Sequence, residues 1–229
     1  MKYSLIFFDA DDTLFDFTKS QEIAFKNAVA HFKINFHIDI LYSDYKKINK
    51  ELWNNLEQGH VSLESLRVLR FKKIFEKHSI PQDPSKFDEY YMQKISQSTT
   101  LLPNALEICK FLKSAGINIG IITNGFSEVQ KKRIRESEIS EFIDSIIVSE
   151  EVGVRKPQPQ IFEIALNQFQ HIPKNKVLMV GDNLNADILG ANRAGIDSCW
   201  FHKHGGAPKM DIQPKYTINE LIQLKKLVY

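Results

Sequence analysis

Four short polar stretches could do chemistry together. Asp9-Ala10-Asp11-Asp12-Thr13 sets two carboxylates two positions apart, with a hydroxyl close behind. Thr123-Asn124-Gly125 offers a hydroxyl, an amide and a glycine turn, and Arg155-Lys156-Pro157 offers cations. Gly181-Asp182-Asn183, with Asp187 five residues after Asp182, adds further carboxylates. Gathered at one place, such carboxylates repel: two unit charges about 4 Å apart cost roughly 4 kcal/mol at an effective dielectric of 20. Either protons stay bound or a cation offsets the repulsion. A hard divalent ion that takes oxygen ligands, Mg2+, meets that need, while Lys156 is of more use against an incoming dianion. A carboxylate attacks phosphorus to form an aspartyl phosphate, and a second one two residues on gives and takes a proton. The cation and the lysine stabilise charge on the phosphoryl oxygens. The set is complete for phosphate-ester hydrolysis, and the chemistry alone does not divide the roles between Asp9 and Asp11.

These groups work together only if the fold gathers them. Each stretch follows a short apolar run or its loop. Tyr3–Phe8, Ile117–Ile122, Ser145–Val148, Val177–Val180 and Ile196–Phe201 read as buried strands. Helical patterns lie between them, at Asn104–Ser114, Glu128–Glu138, Pro159–Phe169 and Asn185–Ala194. Short continuous apolar strands alternating with helices imply a doubly wound parallel α/β sheet covered on both faces. Ligands of such sheets bind outside the carboxyl ends of the strands, which is where the four stretches fall. From about Thr18 to Ser98 the pattern is helical throughout. Ala24, Ala28 and Phe32 recur at helical spacing, Leu41 to Leu56 do so again, Ser62 is a candidate N-cap with Ser65 at N3, and a last helix covers Ser85–Ser96. The division expected is 1–16 with 99–229 as an α/β domain and 17–98 as an all-helical insert.

Composition narrows the class. Thirty Lys+Arg against 28 Asp+Glu leave a net charge of +2, which argues against a nucleic-acid polymer as partner. Two cysteines, Cys109 and Cys199, support no disulfide framework or cysteine zinc cluster and suit a reducing cytosol. No apolar run reaches the roughly 18 residues of a membrane span. Leu5–Phe8 stops at Asp9, too soon for a secretory segment. A cytoplasmic protein with no membrane partner is expected.

In order and in context, the four stretches resemble the motifs of the haloacid dehalogenase superfamily: D-x-D-x-T at Asp9–Thr13, the Thr123-Asn124-Gly125 turn, Lys156-Pro157, and Gly181-Asp182 with Asp187. The resemblance implies a Rossmann-like core with an inserted helical cap that closes over the substrate. It implies Asp9 as nucleophile and Asp11 as general acid/base. Asp9, Asp182 and the Asp11 backbone carbonyl would hold Mg2+, with Asp187 orienting that site from behind. Thr123, Asn124 and Lys156 would hold the transferring phosphoryl group. Dehalogenase members lack the second acid, because a departing halide needs no proton. Asp11 therefore implies an ester phosphatase. Thr13-Leu14-Phe15-Asp16-Phe17, Leu52-Trp53, Glu57-Gln58-Gly59, Leu66 through Arg70-Phe71 to Phe75, and Phe126 with Glu128-Val129-Gln130 resemble the bacterial pyrimidine 5′-nucleotidase branch. The substrate this implies is a small phosphate ester, a nucleoside 5′-monophosphate. Phosphatases of small sugar phosphates or phosphoglycolate, a phosphoglucomutase-like transferase and a non-catalytic phosphate binder are the alternatives. Gln158 departs from the K-P-D-P pattern common in the branch, at what reads as a helix N-terminus.

Other conspicuous residues have plainer readings. Asp12 reads as surface or supporting, and Arg155 competes with Lys156 for the phosphate. Among sixteen Phe, Phe15, Phe17 and Phe71, like Trp53, read as core before base-stacking. Arg67 and Arg70 read as a solvated or salt-bridged face, as does the basic run Gln130-Lys131-Lys132-Arg133 with Arg135. His60, His202 and His204 read as exposed loop residues.

Overall fold

The computed structural model describes residues 1–203 and 211–229. Its centre is a parallel sheet. The strands are β1 (Leu5–Phe8), β2 (Asn118–Thr123), β3 (Ser145–Val148), β4 (Val177–Gly181), β5 (Asp197–Phe201) and β6 (Tyr216–Ile218), in the order β3-β2-β1-β4-β5-β6. The order reverses direction between β1 and β4, so the crevice beyond their carboxyl ends is the natural ligand position. Register brings the polar stretches level. Phe8 lies opposite Ile121 on one side and Val180 on the other. Asp9 is one step beyond that row, and Thr123 and Asp182 are two.

Side chains alternate across β1. Ile6 and Phe8 pack with Ile108, Cys109 and Leu112 of the helix Ala105–Ser114. Leu5 and Phe7 pack with Ile161, Phe162 and Ala165 of the helix Pro159–Leu166, and with Ala191 of Leu189–Ala194. Each fully buried side chain of this size contributes about 1.5–3 kcal/mol, so the β1 hydrophobes hold the strand whose end carries Asp9.

The chain divides into two compact units, Met1–Phe17 with Thr99–Tyr229, and Thr18–Ser98. Phe17, expected in the insert, belongs to the first, where its ring lies beneath the Arg133 guanidinium. The second unit is built from the helix Phe17–His31 after its first residue, and from the helices Ile38–Glu57, Leu63–Lys77 and Pro84–Ser96. Ser62 caps the third through the Ser65 backbone N–H, as its sequence position predicts. The interior of this unit is aromatic. Phe71 stacks on Tyr45 and packs on Phe87 and Tyr91. The Arg70 guanidinium lies over the Phe71 and Tyr91 rings and pairs with Asp88 at 2.8 Å, and Arg67 pairs with the same carboxylate. Phe71 is therefore core, and Arg70 is a buried salt-bridged residue.

Apart from one short strand, the differences from the expected elements described here lie at ends. The helix after β2 is Ser127–Arg135, shorter than 128–138. Phe169 sits in a 3-10 turn following Leu166. The helix after β4 opens with a π turn, Leu184–Ile188. Tyr216–Ile218, three residues long, is too short to show a period and was not expected. Neither Cys109 nor Cys199 is disulfide-bonded, and burial pushes both thiols up to about 12.

Gln158 is the N-cap of the helix Pro159–Leu166, in extended conformation, with no side-chain cap bond and no acid in the first turn. An aspartate there would accept from first-turn backbone N–H groups and place its charge favourably at the positive end of the helix dipole. Gln158→Asp is expected to add about 0.5–1 kcal/mol of stability, read as a higher urea midpoint at unchanged slope.

Candidate active site

Asp9 leaves the sheet at the end of β1, tied to β4 by its backbone N–H, which donates to the Val180 carbonyl at 2.9 Å. Its Oδ1 accepts from Lys156 Nζ at 2.6 Å. The same ammonium donates to Asp187 Oδ1 at 2.7 Å. Lys156 and Asp187 are both buried. Asp187 Oδ2 accepts from the Asn183 backbone N–H. A side chain at Gly181 would overlap the Asp187 carboxylate, so glycine is what lets β4 end against it.

Asp182, the next residue after β4, is held by two partners. Its backbone N–H donates to Thr13 Oγ1 at 3.1 Å, and its carbonyl accepts from Trp200 Nε1 at 2.8 Å. Asp9, Asp182 and Asp187 each place a carboxylate oxygen within 4.8 Å of the others. That is an all-oxygen donor set, the kind Mg2+ takes.

The electrostatics follow from crowding. Removal from water, helped by Asp187 and Asp11 and opposed by Lys156, pushes Asp9 up to about 7. Desolvation, then the Asp9, Asp187 and Asp12 charges, hold Asp182 well above the usual carboxylate range. Burial by itself would lower the Lys156 ammonium, but Asp187 and Asp9 outweigh it and the pKa is raised.

Thr123 ends β2, buried, and its Oγ1 accepts from the Gly125 N–H at 3.1 Å. The Asn124 amide is committed at both ends to the Lys156 main chain: Nδ2 donates to the carbonyl and Oδ1 accepts from the N–H, each at 2.9 Å. The structure thus gives this side chain the work of fixing the lysine. Lys156 reaches the carboxylates, while Arg155 is partly exposed. Asp12, at φ 55°, forms the turn after β1, with Lys203 3.5 Å from its carboxylate.

Asp11 lies apart from the Lys156 cluster in its bonding. Its Oδ1 accepts from Arg133 Nη1 and its Oδ2 from Gln130 Nε2, both at 2.6 Å. Arg133 and Gln130 are buried, with the guanidinium over the rings of Phe15 and Phe17. This corrects the reading of the basic run as a solvated face. Only part of it is solvated. Val129, Gln130, Arg133 and Ile134 form the buried face of the helix. His202 is also corrected: it stacks on Trp200 with ring centroids 4.2 Å apart. His60 is exposed, and His204 lies outside the described residues.

The model of the haloacid dehalogenase-like hydrolases matches residues 3–195. The chain belongs to that family. Among haloacid dehalogenase-like relatives, the pyrimidine 5′-nucleotidase YjjG of Escherichia coli (strain K12) is 34% identical, covering 100% of this chain and 99% of its own. The pyrimidine 5′-nucleotidase PynA of Streptococcus pneumoniae is 30% identical, covering 95% and 92%. A crystal structure of the HAD-hydrolase YfnB of Bacillus subtilis, bound to magnesium, superposes with a TM-score of 0.92 at 28% identity, covering 100% and 99%. Among the described residues, no helix is long and apolar enough to cross a membrane.

The raised carboxylates make a pH-dependent prediction. Between the ordinary carboxylate range and about 7, folded protein holds the Asp9 proton more tightly than the unfolded chain does, so stability falls as pH rises through that window. A cation in the acidic cradle offsets that loss. Mg2+ is therefore expected to raise Tm more at about pH 8 than at about pH 5. Thermal unfolding with and without MgCl2 measures this, and an equal or absent shift at the two pH values contradicts it.

Proposed function

We propose that this hydrolase is a Mg2+-dependent phosphomonoesterase of the cytoplasm that removes phosphate from nucleoside 5′-monophosphates, pyrimidine ones preferentially. The observation that carries the reading is the pair of carboxylates at one strand end with different partners, Asp9 on Lys156 and Asp11 on Arg133 and Gln130. Full-length similarity to two pyrimidine 5′-nucleotidases supports the choice of leaving group.

In this reading Asp9 is the nucleophile. One of its oxygens attacks phosphorus as the ester oxygen departs. Asp11 gives that oxygen its proton, then takes a proton from the water that splits the aspartyl phosphate. Lys156 meets the phosphoryl oxygens, and the Thr123 hydroxyl donates to one of them. Asn124 acts by holding the lysine backbone. Asp9, Asp182 and the Asp11 carbonyl would hold Mg2+. Asp187, whose two oxygens already accept hydrogen bonds, supports them. When bound, the ion supplies positive charge against the phosphoryl oxygens and the crowded carboxylates. The Met1–Phe17 and Thr99–Tyr229 unit is the catalytic core, and Thr18–Ser98 takes the part of the cap.

Purified protein with Mg2+ should release phosphate fastest, by kcat/KM, from UMP, dUMP or dTMP in a panel with purine monophosphates, phosphoglycolate and hexose phosphates. Preference for a sugar phosphate would refute the nucleotide assignment, and no release from any would refute the phosphatase. Asp9→Asn is expected to lose about 1,000-fold or more in kcat with its thermal unfolding intact. Retained turnover would remove Asp9 from the nucleophile's role.

A further inference from the structure

The site holds two buried polar side chains that the reaction scheme above does not use. Gln130 and Arg133 lie on the helix Ser127–Arg135, about one turn apart, and project from the same side. Both reach Asp11, one to each carboxylate oxygen, at 2.6 Å. Burial of a guanidinium is costly unless it is paired. Here the pairing is with Asp11, and Phe15 and Phe17 supply ring faces at 4.8 and 5.4 Å. Gly125 contributes space: a Cβ at that position would run into the Gln130 side chain. The arrangement is thus built from three parts of the chain around one carboxylate.

The consequence concerns proton transfer. Bond formation between Asp9 and phosphorus breaks the bond to the ester oxygen. The proton of Asp11 moves to that oxygen, the alcohol leaves, and Asp11 remains as a carboxylate. Two aimed donors stabilise that carboxylate as it forms, and they also fix its direction. From this geometry we infer that Gln130 and Arg133 are positioning residues for general acid catalysis by Asp11. The inference rests on the assignment of Asp11 as the acid. They act through Asp11 and need touch no substrate.

Leaving-group dependence separates this role from mere support of the fold. p-Nitrophenolate departs without a proton, whereas the alcohol of a nucleotide or sugar phosphate needs one. The measured quantity is kcat/KM, which reports steps up to the first irreversible departure. The substrates are p-nitrophenyl phosphate and whichever of UMP and glucose 6-phosphate is turned over faster. Gln130→Met, Arg133→Met and Arg133→Lys are compared with Asp11→Asn, each checked by thermal unfolding. General acid catalysis contributes about 100- to 10,000-fold. The Met variants are accordingly expected to lose about 30-fold or more on the alkyl phosphate and less than about 5-fold on the aryl one. Arg133→Lys should recover part of the difference. Gln130→Met carries the test should Arg133→Met fail to fold. Equal losses on both substrates, or a gain on the alkyl phosphate, would overturn the inference while Asp11→Asn still discriminates. If Asp11→Asn itself does not discriminate, the assignment of Asp11 fails and the inference falls with it.

Discussion

Repulsion between carboxylates is the constraint around which this site is arranged. Asp9, Asp182 and Asp187 hold oxygens within 4.8 Å of one another, where each unit-charge pair costs roughly 4 kcal/mol at an effective dielectric of 20. Water would screen them, but the sheet and its flanking helices exclude much of it. The site answers with Lys156, buried and bonded to two of the three acids. One ammonium against three carboxylates leaves the cluster short of positive charge. That deficit is the charge the proposed Mg2+ would supply when a phosphate dianion is also bound.

Holding such a cluster requires that each group be fixed by something other than its charged neighbours. Short polar links serve this. Thr13 and Trp200 secure the Asp182 backbone from two sides. Asn183 caps its own turn through the Asn185 and Ala186 N–H groups and donates its backbone N–H to Asp187. Asn124 grips the Lys156 main chain. The bonds to Asp182 and Lys156 act on backbone, so they set where a side chain begins while leaving its tip to the ligand, whereas Asn183 fixes the Asp187 carboxylate itself. Hydrophobic burial on both faces of β1 supplies the rigidity beneath them.

What could be read from the sequence divides along the same line. The strand-end acids were legible because a buried parallel strand announces itself as an apolar run, and the first polar residues after it have one place to go. Gln130 and Arg133 were hidden because charge is counted before burial. Their neighbours held a usable signal: Val129 and Ile134 are apolar, and positions 129, 130, 133 and 134 share one helical face, so Gln130 and Arg133 point inward with them. Asn124 illustrates a different limit. Its residue type suits phosphate, and only the fold shows both ends of the amide spent on Lys156. In the helical unit Ser62 marked a helix start and Phe71 read as core, as both are, while the reading of Arg70 as a solvated or salt-bridged face left its burial open. Arg70, charged and buried against Asp88, defeats any rule based on polarity alone.

Lys156 rather than Arg155 occupies the centre, and the chemistry of the two cations explains why. A guanidinium presents a planar fork suited to one carboxylate in one plane. The acids here come from different elements, Asp9 from the end of β1 and Asp187 from the turn after β4, and they approach from different directions. A tetrahedral ammonium satisfies both with separate hydrogens, at 2.6 and 2.7 Å, and a lysine carries three. The third is the one that the proposed reaction assigns to a phosphoryl oxygen. Arg133 meets a different requirement: through Nη1 it holds one oxygen of a single carboxylate, while its flat guanidinium lies against the Phe15 ring. The two cations are thus matched to two different problems posed by acids two residues apart.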